Sequence, residues 1–270
     1  MTSKFRYDCA VGTLIRVIFG RTPLPVSVRT FLIALALAAA STAASAQAPA
    51  PGGETTTAQE QQEIAVCLGR GGANVEGQNA TCDKLIKSGR FSGNGLAIAH
   101  YQRGFTYSML GDNDKAIADY NESIKIAPTY TRAYLNRGNV HLLKKEFDKA
   151  IADFSEVIKL EPKAAIGFNN RGFAHQAKNE YDKALADYAE VLKIEPNTNV
   201  TLINRGDIYQ NRKEYDRAIA DYDAAIKLDA TNAVALYRRG LAKQAKGDKA
   251  GGDKDIAEAK KINPKVGDAG

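Results

Sequence analysis

Histidine is scarce in this chain, with three in 270 residues, at His100, His141 and His175. A metal centre needs three or four converging ligands, and no cluster of candidate ligands surrounds any of the three, so no metal is expected. No glycine-rich phosphate cradle and no G-x-S-x-G elbow occurs, and nothing marks a catalytic cysteine. No cofactor is expected and the chain reads as a non-enzyme. A basic face is lacking too. The net charge is +6, but Lys4, Arg6, Arg16, Arg21 and Arg29 against Asp8 place four of those charges within residues 1–46. The remainder holds 32 basic against 30 acidic residues, which argues against a nucleic-acid partner.

Long apolar runs are also missing. The longest, Phe31–Ala40, is too short to span a bilayer comfortably. Arg29 precedes it and Ala44-Ser45-Ala46 follows, the order of a secretory signal with an A-x-A cleavage site. Residues 1–46 are read as a signal peptide cut after Ala46, leaving a periplasmic or secreted protein with no membrane span; the alternative is an uncleaved anchor. No cysteine follows the run to take a lipid. The stretch before it is long for a signal, and a translation start near Val26 or Val28 would account for that. Residues 47–58 are rich in Pro, Gly and Thr and read as a flexible linker.

What the rest of the chain has is a period. Gly104, Gly138, Gly172, Gly206 and Gly240 recur every 34 residues, each preceded by Arg. Ala116, Ala150, Ala184 and Ala218 follow at a constant offset, as do Asp119, Asp153, Asp187, Asp221 and Asp255. The bulky Tyr120, Phe154, Tyr188, Tyr222 and Ile256 come next, and Pro128, Pro162, Pro196 and Pro264 close the unit, with Ala230 in that place in the fourth copy. This pattern resembles the tetratricopeptide-repeat (TPR) family over 97–266, as five copies at 97–130, 131–164, 165–198, 199–232 and 233–266. The usual Trp at repeat position 4 is replaced by His100, Tyr134, Phe168, Leu202 and Leu236, and the usual Leu at position 7 is Arg throughout.

The resemblance implies an all-α fold: a right-handed superhelix, or α-solenoid, of five helix-turn-helix repeats. In the first copy the helices are expected near 97–110 and 113–126, with Ala116, Ile117, Tyr120, Ser123 and Ile124 on one stripe. Small Gly and Ala allow close approach, and proline stops the second helix. Residues 60–96 keep none of the repeat residues, yet read as a helical cap hairpin, near 60–69 and 79–88. Cys67 and Cys82 sit one in each, an even pair suggesting a disulfide in a secreted protein; two buried thiols are the alternative. The cysteine-bearing extension followed by Ser88-Gly89-Arg90 resembles secreted TPR proteins of Alphaproteobacteria. In the last repeat Gly247, Gly251 and Gly252 are expected to fray the second helix, with 267–270 disordered.

The resemblance further implies a scaffold for another protein or peptide in a bacterial periplasm or envelope, with self-association as the alternative. Binding is expected on the concave face of the first helices, at Tyr101, Phe105, Arg132, Leu135, Asn139, Asn169, Phe173, Gln176, Asp207 and Gln210. Aromatics there supply area, and amides can bond a peptide backbone. Repeat position 5 holds no Lys, so the clamp with which some TPRs hold C-terminal carboxylates is absent as a set. The recurring Arg–Asp offset (Arg103 with Asp119, Arg137 with Asp153, Arg171 with Asp187, Arg205 with Asp221, Arg239 with Asp255) reads as structural pairing between helices; a row of anion-binding arginines is the other reading. His141 and His175 share repeat position 11 and are expected to pack in the helix seam.

Overall fold

The computed structural model describes residues 58–268. The signal segment and all of the linker but Ala58 lie outside the described residues, as do 269–270. Twelve helices are present among the described residues, arranged as six antiparallel hairpins: α1 (Ala58–Cys67) with α2 (Val75–Lys87), α3 (Gly93–Met109) with α4 (Asn113–Ile126), α5 (Thr131–Leu143) with α6 (Phe147–Leu160), α7 (Ala165–Ala177) with α8 (Tyr181–Ile194), α9 (Asn199–Asn211) with α10 (Tyr215–Leu228), and α11 (Ala233–Lys246) with α12 (Lys249–Ile262). They form two compact units, 58–162 with α1–α6 and 163–268 with α7–α12.

The 34-residue pattern is the chemistry of one hairpin. A Cβ placed on Gly206 would lie 2.7 Å from Cε1 of Tyr222, so the first helix keeps glycine where the ring of the second helix crosses it. Those rings, Tyr120, Phe154, Tyr188 and Tyr222, are 0–1% exposed. Each first helix closes with a residue in the left-handed region: Gly69, Gly111, Lys145, Asn179, Lys213 or Gly247. Behind it the next amide reaches back over the turn, as Glu214 N–H does to the Tyr209 carbonyl at 2.8 Å, the bond that satisfies orphan carbonyls at a helix end.

In four of the hairpins the second helix ends where a proline forces the residue before it out of helical geometry: Ala127, Glu161, Glu195 and Asn263 are extended or nearly so. Asp229 adopts the same backbone without a proline. There its Oδ1 accepts from the Thr231 amide at 2.9 Å and the Thr231 hydroxyl at 2.7 Å, a side-chain turn doing the work of the ring.

In the unit 58–162 the first hairpin is closed by the Cys67–Cys82 disulfide, with Cα atoms 4.9 Å apart. Its helices begin earlier than the sequence suggests, at Ala58 and Val75; for α2 the cap is Asn74, which accepts from the Gly77 amide. α3 opens at Gly93, so the 96/97 division falls inside a helix. Asp83 on α2 accepts from Arg103 Nη1 at 2.7 Å, just as Asn121 on α4 accepts from Arg137 Nη1 at 2.6 Å. α2 thus stands to α3 as a repeat's second helix stands to the next repeat, although it keeps none of the repeat residues.

In the unit 163–268 the last hairpin differs from the frayed helix expected. Gly247 is not in α12: it caps α11 at φ +109°, where glycine is favoured. A Cβ on Gly252 would lie 2.6 Å from the Gly240 carbonyl, so this glycine lets two backbones meet and repays its helix cost in contact. α12 runs unbroken from Lys249 to Ile262, capped by Asp248 on the Gly251 amide at 2.9 Å. Beyond it Val266 is 2% exposed, packed with Ala233, Leu236 and Ala259.

Candidate interaction face

Within each unit the first helices of consecutive hairpins touch one another, α3 with α5 in one and α7 with α9 and α9 with α11 in the other, while second helices pack on first helices. In each unit the first helices therefore line one side. Charge is unevenly shared. The second helices expose residues such as Asp114, Lys115, Glu122 and Lys125. On the first helices most charge is committed to ion pairs.

The Arg–Asp offset is a two-pronged bond at all five places where it recurs. Arg103 Nε and Nη2 donate to Asp119 Oδ2 and Oδ1 at 2.8 and 2.7 Å. Arg137 does so to Asp153 at 3.0 and 2.5 Å, and Arg171 to Asp187 at 3.0 and 2.7 Å. Arg205 reaches Asp221 at 2.8 and 2.6 Å, and Arg239 reaches Asp255 at 2.7 Å twice. Planar guanidinium and carboxylate fit in this way. The third nitrogen, Nη1, extends to the preceding hairpin: Asp83 for Arg103, Asn121 for Arg137 and Asp223 for Arg239. Burial pushes the Asp119 carboxyl up, but the bonds from Arg103 and His100 outweigh it and hold the group below the usual range.

His141 and His175 are buried and His100 is half-buried, and each has a carboxylate partner. His141 Nδ1 lies 2.6 Å from Glu146 and His175 Nδ1 lies 2.7 Å from Glu180, across the turn that joins the two helices. Glu180 is lowered to about 2 by hydrogen bonds from Lys178, Lys183 and His175. His100 Nδ1 lies 2.9 Å from Asp119. Among the described residues no three His, Cys, Asp or Glu side chains gather as a metal site.

The residues expected on the binding face fall into two sets. In the unit 58–162, Tyr101 is 8% exposed; its hydroxyl accepts from Asn136 at 3.0 Å and its ring meets Tyr130 edge-on at 5.2 Å. Asn139 is also buried, Phe105 and Leu135 are half-buried, and Arg132 is exposed. In the unit 163–268, Asn169, Phe173 and Gln176 on α7 and Asp207 and Gln210 on α9 are all half-buried. Asn169 Oδ1 accepts from Thr201 at 3.1 Å. Asp207 accepts from the Tyr222 hydroxyl at 2.7 Å and pairs with Arg238 at 3.5 Å. Burial raises its carboxyl against the opposing pull of Arg238 and Tyr222. Tyr188 donates to Gln176 Oε1 at 2.8 Å, and Tyr222 lies 3.2 Å from Gln210 Oε1. The sequence held a signal for these last contacts: glutamine stands twelve residues before tyrosine in the third and fourth repeats, and nowhere else in the ladder.

Helix hairpins of constant pitch, seamed by glycine and a buried ring, define a helical-repeat protein. The chain belongs to the tetratricopeptide-repeat family. The tetratricopeptide-repeat profile matches 97–130, 131–164 and 165–198, and a second TPR-repeat profile matches 206–247. Among solved structures, the chain is similar to MamA at 22% identity, covering 61% of this chain and 96% of that one with a TM-score of 0.56. It is similar to YrrB, described as a TPR protein with an unusual peptide-binding site, at 21% identity over 68% of this chain and 92% of that one, TM-score 0.54. Pseudomonas aeruginosa pilF shares 18% identity over 77% and 95%, TM-score 0.62. These likenesses concern the fold. No curated protein matches the chain.

Proposed function

We propose that the chain is a non-enzymatic scaffold that holds an extended peptide or a helix of another protein against its first helices. The observation that carries this is the half-buried stripe of Asn169, Phe173, Gln176 and Gln210, aromatic and amide side chains on a side from which most uncompensated charge is absent. Such a mixture offers apolar area together with partners for a peptide backbone. YrrB, of like fold, is described as having a peptide-binding site. The finer architecture we infer is five repeats over 97–266 in a right-handed superhelix, with 60–96 as the N-terminal cap; the Asp83–Arg103 bond supports that cap.

The bacterial periplasm or envelope is the place we infer for it. The Arg29, Phe31–Ala40 and Ala44–Ala46 pattern supports export, and the Cys67–Cys82 disulfide suits an oxidising compartment. No described helix is long and apolar enough to cross a membrane.

A pull-down from periplasmic extract with the intact chain, repeated with Asn169→Ala and Phe173→Ala, tests the face. Partners should be lost while the melting temperature holds. Recovery of the same partners by both variants removes the assignment. N-terminal sequencing of the periplasmic product should begin at Gln47.

A further inference from the structure

The stripe on α7 and α9 carries a feature beyond general stickiness. Gln176 and Gln210 stand at the same repeat position, 34 residues apart, and each meets the hydroxyl of the buried tyrosine of its own hairpin. Tyr188 gives its hydrogen to Gln176 Oε1, which turns the Nε2 donors away from the seam. Tyr222 has one hydrogen and gives it to Asp207 at the shorter distance, 2.7 against 3.2 Å. A glutamine amide has a donor end and an acceptor end, so whichever end of Gln210 meets that oxygen, the other is left outward. Neither Nε2 has a hydrogen-bond partner among the described residues. The second repeat has no such device: Phe154 replaces the tyrosine and Leu142 the glutamine.

Charge on this stripe is internally matched. Arg171 and Arg205 are held by Asp187 and Asp221, and Asp207 is paired with Arg238. We infer that the α7–α9 stripe takes an extended peptide segment free of charged side chains, read by its backbone through the amide of Gln176, which Tyr188 sets, and the amide of Gln210, with the half-buried Phe173 against its side chains. This rests on the scaffold reading above. Packed helices lie about 8–10 Å apart and an extended chain rises about 3.3 Å per residue, so the two amides meet backbone groups about three residues apart.

The test is selection of peptides from a random phage-displayed library on the intact chain. Selected peptides are synthesised with free and amidated C-termini, and their affinities are measured at low and high salt. The variant is Gln176→Leu with Tyr188→Phe, which transplants the pair that the second repeat itself carries and so leaves a packed seam. Expected are sequences poor in Asp, Glu, Lys and Arg, with affinities indifferent to salt and to amidation. The double variant should weaken them about five- to tenfold, the worth of roughly one hydrogen bond, at unchanged melting temperature. Tyr188→Phe alone, which frees the amide to turn, should give part of that loss.

Charge-rich peptides whose binding collapses in salt would overturn the inference. So would peptides that lose affinity on amidation and with Arg238→Ala, which would make the ligand a terminal carboxylate. Undiminished binding by the double variant would also overturn it. These three results leave the scaffold reading standing as long as Phe173→Ala still weakens binding. Peptides indifferent to Phe173→Ala, or no peptide at all, would sink both.

Discussion

A guanidinium that spends Nε and Nη2 on one carboxylate and Nη1 on the neighbouring hairpin is a joint between two helices and a joint between two repeats. Arg205 is the informative case, because Ala189 stands where Asn121 and Asp223 supply the third contact elsewhere. Its pairing with Asp221 therefore reports the intra-hairpin bond alone. Arg205→Ala strands a carboxylate whose side chain is 8% exposed. The loss should be about 2–3 kcal/mol, less than for a fully buried pair because the arginine is itself 25% exposed. Urea unfolding should record it as a lower midpoint; an unchanged midpoint would mean the pair only decorates the seam. Lys213 makes the opposite case. It sits at φ 61°, where Gly111 and Gly247 serve other hairpins, and a Cβ is penalised there. Lys213→Gly should stabilise by about 0.5–1 kcal/mol after glycine's extra chain entropy is deducted, read as a higher midpoint in the same titration.

At the scale of the element, α1 is the helix with least to hold it. Cys67 is its only buried residue, and its hairpin core is small: Cys82, Leu85 and Ala99, flanked by Ile64, Ile86 and Phe91. The disulfide therefore carries much of its attachment. Closing a 15-residue loop contributes about 3 kcal/mol in the chain-entropy model. Cys67→Ser with Cys82→Ser should raise amide exchange throughout α1 and leave α9 and α10 as protected as before. Equal protection of α1 in both forms would assign its stability to packing. Legibility in the sequence follows the same division. Hairpins built by glycine against a bulky side chain, a ring in four and Ile256 in the last, could be located from Gly104 to Gly240, because steric demand writes one residue type at one place. α1 and α2 could be placed only roughly, since a disulfide and an Asn74 cap leave no period. Asp229 was invisible as a helix stop because it replaces proline's ring by two hydrogen bonds. Gly247 and Gly252 were misread because propensity counts a glycine's cost and not the backbone contact it permits. On the candidate face the glutamine–tyrosine offset marks the Tyr188–Gln176 contact, but nothing in the sequence said which end of the amide the hydroxyl would meet, or that Tyr101 would be buried under Tyr130.

At the scale of the molecule, Asp119 and Asp255 on one side and Asp207 on the other shape how stability responds to acid. Asp119 and Asp255 are each raised by burial and then brought below the usual range, by Arg103 and His100 in one case and by Arg239 and Lys243 in the other. A carboxyl whose folded pKa is depressed binds its proton less tightly in the native state. Its stabilisation is fully present above the unfolded value of about 3.9 and is lost as pH falls through the folded value. Asp207 has the reverse sign: burial raises it, so the native state favours its proton and its ionised form costs stability at neutral pH. That cost fades as pH falls through its raised pKa, while the contribution of the paired aspartates is still intact. Folding stability measured by denaturant titration should thus be retained from neutral pH into mild acid and then fall steeply below about pH 4. Asp207→Asn keeps an oxygen for Tyr222 and removes the charge, so it should be more stable than the parent at pH 7 and lose that advantage in acid. A variant less stable than the parent at pH 7 would show that the Asp207–Arg238 pair outweighs the cost of burying the carboxylate, and would reverse the sign assigned to it.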